Sequence, residues 1–63
     1  MKTIDINGPE GNVFALLGVA KTICLHLDME SKKILDDMKS GDYEHLLDVF
    51  EENFNNFVKL EGR

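Results

Sequence analysis

The stretch from Asn12 to Leu27, NVFALLGVAKTICLHL, constrains this chain more than any other, because it is apolar on nearly every side. With successive residues about 100° apart on a helix, Val13, Leu16, Leu17, Ala20, Ile23, Cys24 and Leu27 fall on one broad stripe. That stripe is the expected inner face. The opposite side carries Ala15, Gly18, Val19 and Thr22, with Phe14 and Leu25 at its margin, and only Lys21 and His26 are clearly polar. A helix apolar all round is normally buried all round, so the pattern predicts a central helix that the rest of the chain covers. Its longest unbroken apolar run, Val13 to Ala20, falls well short of the ~20 residues that span a bilayer.

Sixty-three residues make one domain, 1–63, and a chain of that size hides only about 60% of the surface its unfolded form exposes. Small domains of this kind usually need a staple. The lone Cys24 cannot form an internal disulfide, and Cys24, His26 and His45 have no zinc-finger spacing, so oligomerisation is the staple that remains. The expectation is a homodimer.

Twelve Asp and Glu against seven Lys and Arg give a net charge of −5, which opposes binding to phosphate backbones and to anionic membranes. Neither nucleic acid nor a membrane is an expected partner. MKTIDINGP lacks the apolar core of a signal peptide, and an unpaired cysteine suits a reducing compartment, so the expected location is the cytoplasm.

Lys2 to Ile6 alternates polar and apolar residues as a half-buried strand does, with Ile4 and Ile6 on one face. Asn7-Gly8-Pro9-Glu10-Gly11-Asn12 is turn chemistry, and Asn12 is placed to cap the central helix. Asp28-Met29-Glu30 interrupts the apolar pattern. Ser31 to Lys39 then reads as a short amphipathic helix with Ile34, Leu35 and Met38 inward. Ser40-Gly41-Asp42 supplies a stop and a start, with Gly41 suited to a left-handed cap and Asp42 to an N-cap. A third helix from Tyr43 to about Asn53 sets Tyr43, Leu46, Leu47, Phe50 and Phe54 on one face, Val49 at its edge, and Glu44, Asp48, Glu51 and Glu52 opposite. Phe57 to Leu60 closes the chain as a strand before the polar tail Glu61-Gly62-Arg63.

The order is β-α-α-α-β, an α+β fold in which three helices pack on a small antiparallel two-stranded sheet built from the two ends of the chain. Two strands alone are marginal in water and leave edges open, so a second copy could extend the sheet.

Candidate sites are few. Phe14, Ala15, Gly18, Val19 and Thr22 form the candidate assembly interface, where missing side chains let another backbone approach; packing of the chain's own sheet or second helix is the plainer explanation. Asp36, Asp37, Glu44, Asp48, Glu51 and Glu52 form an acidic surface that could face a partner or imitate a run of phosphates, against the plainer reading of a solvated face. The Gly8 to Asn12 turn could cradle phosphate on its amides, but its spacing fits no nucleotide motif, Pro9 lacks an N–H, and Glu10 repels an anion. Asp42, His45 and Asp48 at i, i+3 and i+6 could flank an imidazole with carboxylates, without a second ligand cluster or nucleophile to make a metal or catalytic site. Tyr43 is expected to pack its ring and keep its hydroxyl in water. Cys24 reads as a small buried hydrophobe.

Asn7-Gly8-Pro9-Glu10-Gly11-Asn12 running into an apolar helix, together with MKSGDYEHLL from Met38 to Leu47, resembles small proteins encoded by tailed bacteriophages and prophages. The resemblance covers most of the chain. It implies a product that works in the host cytoplasm and binds a host protein, host defence systems included, and it carries over no catalytic or binding residue.

The sequence therefore points to a non-enzymatic protein-binding module, a homodimer without cofactor or metal, that modulates or inhibits a host protein. The alternatives are an acidic mimic of nucleic acid, and a binder of a small ligand such as a nucleotide at the Gly8 to Asn12 turn or at a dimer seam.

Overall fold

A computed structural model describes residues 2–63. Strand β1 (Lys2–Asp5) leads through a 3-10 turn (Pro9–Gly11) into α1 (Val13–His26), followed by α2 (Ser31–Met38), α3 (Tyr43–Phe54) and strand β2 (Val58–Glu61). The element order is the one the sequence implies.

The caps explain where the longer helices start. Asn12 Oδ1 accepts from the Ala15 amide at 2.8 Å while its Nδ2 donates to the Pro9 carbonyl at 2.8 Å, so one side chain closes the turn and opens α1. Asp42 does the same for α3, accepting from the His45 amide at 2.9 Å. The left-handed residue lies elsewhere than expected. Asp28 takes φ 56° just past α1, with the Met29 amide donating to the Cys24 carbonyl and the Asp28 amide to the Leu25 carbonyl, a Schellman closure. Gly41 is not left-handed; its bare Cα instead makes room for His45, whose Cβ and Cγ lie 2.8 Å from where a Gly41 Cβ would stand.

The two strands pair in parallel, Lys2 with Val58 and Ile4 with Leu60, which corrects the antiparallel expectation. An alternating strand pattern is the same for either direction. What differs is the connection: antiparallel neighbours can be joined by a tight turn, whereas parallel ones need a crossover of a dozen or more residues, and here three helices form it. The inner face of the pair presents Ile4, Val58 and Leu60 to the core, and Thr3, Asp5, Lys59 and Glu61 stay exposed.

The core is built mainly from α3. Leu46, Leu47, Val49, Phe50 and Phe54 are all buried, with the Phe50 and Phe54 rings edge to face at 5.2 Å. Met38 of α2 and Leu16, Ala20 and Cys24 of α1 complete it, and α3 is the helix that lies against β2. The centre of the fold is therefore α3.

For α1 the expectation of burial all round fails. It packs on α2 and α3 through a narrow i, i+4, i+8 stripe, Leu16, Ala20 and Cys24, with Leu17 and Ile23 half-buried beside it. Val13 and Leu27, expected inside, are 38% and 42% exposed, and Phe14 and Leu25 stand out at 85% and 71%. Two short helices cannot surround a third; α2, α3 and the Pro9–Gly11 turn cover one side of it, and the sheet lies against α3.

Candidate assembly surface

The uncovered side of α1 faces a groove. Ala15, Gly18, Val19, Thr22 and Ile23 line it from the helix, Phe57 and Val58 from the start of β2, and Lys2 and Glu10 from its rim, enclosing about 640 Å³. Neither the sheet nor α2 closes on Gly18. A Cβ built there meets nothing within 4 Å among the described residues, so the missing side chain serves no contact within the chain. Thr22 spends its hydroxyl on the Gly18 carbonyl at 3.0 Å, and Lys2 Nζ pairs with Glu10 at 3.3 Å, so the polar groups of the groove are already engaged. What is left is apolar. Phe14, Ala15, Gly18, Val19 and Thr22 are thus brought together on one side of α1, exposed or half-buried.

The acidic surface is not the free field that its sequence suggests. Arg63, reaching back from beyond β2, pairs with Asp48 and Glu51 and lies 3.4 Å from Glu44, one turn apart along α3. Asp48 foremost, and then Glu51, hold the guanidinium pKa above its ordinary value. Asp37 is taken up by His45. Among the described residues Asp36 and Glu52 make no ion pair, so of the six carboxylates three share the one positive charge of Arg63, one meets His45 and two are free. Sequence reasoning passed over Arg63 because its partners lie 12 to 19 residues earlier and only the fold brings them together.

The Asp42, His45 and Asp48 spacing does not produce a carboxylate-flanked imidazole. Asp42 caps a backbone amide and Asp48 turns to Arg63, while His45 Nε2 reaches the Asp37 carbonyl at 2.9 Å, the Asp37 carboxylate at 3.1 Å and Ser40 Oγ at 3.2 Å. The hydrogen bond to the Asp37 carboxylate is the main cause that raises the His45 pKa, outweighing a partial loss of solvent. His45 thus ties the end of α2 to the start of α3. Cys24 lies in the core, where burial pushes its thiol pKa up and away from nucleophilic use.

The glycine-rich turn is occupied by its own backbone. The Asn7 amide donates to the Asp5 carboxylate at 2.9 Å, that of Gly8 to the Asp5 carbonyl at 3.0 Å, and that of Gly11 to the Gly8 carbonyl at 3.1 Å. A phosphate cradle needs those N–H groups free. Tyr43 is also corrected: its half-buried hydroxyl donates to the Gly11 carbonyl instead of remaining in water. Among the described residues no three His, Cys, Asp or Glu side chains converge as a metal site would require, and no helix is long and apolar enough to cross a membrane. Comparison with known protein families, curated proteins and solved structures finds no match to this chain.

Proposed function

We propose that this chain is a non-enzymatic protein-binding module that works as a homodimer assembled through the uncovered side of α1. The observation that carries the reading is the exposure of Phe14 and Leu25 on the helix that lines an apolar groove with Ala15, Gly18, Val19 and Ile23. Isolated surface hydrophobes need no explanation, but two large exposed ones on a helix that also lines an apolar groove favour an interaction site. A chain this short also gains most from adding a second copy to its core.

Charge supports the same surface. From Val13 to His26 there is no Asp or Glu, in a chain whose net charge is −5. In a symmetric dimer each chain offers the same patch, so an acidic patch meets itself and is repelled; α1 avoids that cost. The resemblance to small phage proteins extends the proposal to a host protein as the second partner, met by the surface of α2 and α3 that the dimer leaves free. Nucleic-acid mimicry fits less well, because Glu44, Asp48 and Glu51 gather around the positive charge of Arg63 instead of standing free for a basic groove.

Sedimentation velocity at low salt and at about 1 M salt tests the proposal, since screening acts on exposed charges and leaves apolar burial in place. A dimer that persists at high salt is expected. Complete dissociation at high salt would show assembly through charge and not through α1.

A further inference from the structure

We infer that Asn7 is a self-modification site, converted to a carboxylate by attack of the Gly8 backbone nitrogen when the turn that holds the two residues opens. Asn7-Gly8 is the one Asn-Gly pair in the chain. Asn12, Asn53, Asn55 and Asn56 precede Val13, Phe54, Asn56 and Phe57, whose side chains crowd their own backbone nitrogens, whereas glycine leaves its nitrogen open to approach. Asn7 is also exposed. The chemistry needs only water. The Gly8 nitrogen gives its proton to solvent and bonds to Asn7 Cγ, the Cγ–Nδ2 bond breaks, and Nδ2 takes up a proton and leaves as ammonia. Water then opens the cyclic imide. Opening at Cγ gives aspartate, and opening at the main-chain carbonyl gives isoaspartate, with the backbone rerouted through the side chain.

The closed turn restrains each part of this step. The Gly8 amide donates to the Asp5 carbonyl at 3.0 Å, so the proton that has to leave is held. Asp5 Oδ2 lies 3.9 Å from where a Gly8 Cβ would stand, and its charge disfavours the amide anion. The asparagine is tied on both sides: its amide donates to Asp5 Oδ1 at 2.9 Å and Nδ2 donates to the Gly62 carbonyl at 3.3 Å. Gly62 fits there because it lacks a Cβ, which would stand 2.5 Å from Asn7 Nδ2 on a backbone already at φ 84°. Reaction therefore waits until the end of β2 parts from the turn after β1. Such exposed ties open locally, well short of global unfolding. The product cannot restore them, since a carboxylate at position 7 has no hydrogen to give the Gly62 carbonyl and stands beside the Asp5 carboxylate. Each opening that reacts is recorded as one more negative charge.

The test follows the intact mass of the full chain and of the free peptide Lys2–Asn12 in mildly alkaline buffer, with proteolytic mapping to place the change. The folded chain should react first at Asn7, and there at least about tenfold more slowly than the peptide. Gly62→Ala, which pushes against Asn7 Nδ2, should bring the rate toward that of the peptide while the helical circular dichroism remains. If that variant does not fold, the wild-type chain in urea below its midpoint takes its place, with the same acceleration expected. A first reaction at another asparagine, an Asn7 as fast in the folded chain as in the peptide, or a rate that opening the turn leaves unchanged overturns the inference. Asn7→Asp, the product itself, should speed hydrogen exchange of the Ile6 amide, which donates to the Glu61 carbonyl at 3.0 Å. Unchanged exchange there overturns the claim that the product loosens the end of β2.

Discussion

The hydroxyl of Tyr43 donates to the carbonyl of Gly11, joining the first turn of α3 to the turn that precedes α1, 32 residues earlier in the chain. This bond fixes where the β1 connection meets the helical core. Tyr43→Phe removes the donor and leaves a half-buried carbonyl with one partner fewer, and it should cost about 1 kcal/mol of stability. The urea midpoint at constant slope reads this directly; an unchanged midpoint would mean that water replaces the hydroxyl without loss.

Two glycines should respond in opposite directions. A Cβ at Gly11 would stand 2.0 Å from the Ile6 carbonyl oxygen, a backbone atom that cannot step aside, so Gly11→Ala should destabilise by about 1–3 kcal/mol. At Gly18 there is room within the chain, and Gly18→Ala should stabilise α1 by about 0.5–1 kcal/mol when measured at protein concentrations dilute enough to be monomeric. Thermal unfolding of both variants checks the pair, and a loss at Gly18 in the monomer would contradict the open groove.

Asp28 carries the left-handed backbone that ends α1. An L-residue there is strained by about 1 kcal/mol, less than for a branched side chain because Asp tolerates the region. Asp28→Gly should recover part of that strain and raise the urea midpoint. A lower midpoint would show that the Asp28 side chain supplies an interaction worth more than the strain.

The His45 contact should be pH-dependent. Asp37 and Ser40 face the imidazole, Asp42 caps its backbone, and the charge of Asp48 adds to that of Asp37 in raising its pKa above 6.5. A raised folded-state pKa means that protonation favours the folded chain. The stabilisation is fully present below the unfolded value of 6.5 and disappears as pH rises through the folded value. Asp37→Asn should therefore be less stable than wild type at about pH 6, and the gap should narrow in alkaline solution. A gap of constant size would mean that the neutral hydrogen bond, and not the charged pair, holds α2 to α3.

What the sequence made legible followed from short-range periodicity. The 3.6-residue pattern from Tyr43 to Phe54 named nearly the whole core face of α3, and Asn12 and Asp42 marked both helix starts because capping is local chemistry. Strand direction was not legible, since Ile4 and Leu60 alternate with polar neighbours in the same way whether the pair is parallel or antiparallel. The buried side of α1 was legible at its centre, since Leu16, Ala20 and Cys24 fall within the expected inner stripe; its width was not, because apolar residues continue around the helix while α2 and α3 leave Val13 and Leu27 at the stripe's ends exposed. Arg63 and Asp37 found their partners through long-range packing that no spacing rule encodes.

The most direct test of the account is the mass of the wild-type chain in solution, measured by light scattering during gel filtration over a wide range of concentration. The account predicts twice the chain mass of 7.2 kDa, falling toward a single chain on dilution. A well-folded species of 7.2 kDa at every concentration would contradict it, and the groove beside Gly18 would then not be a seam between copies.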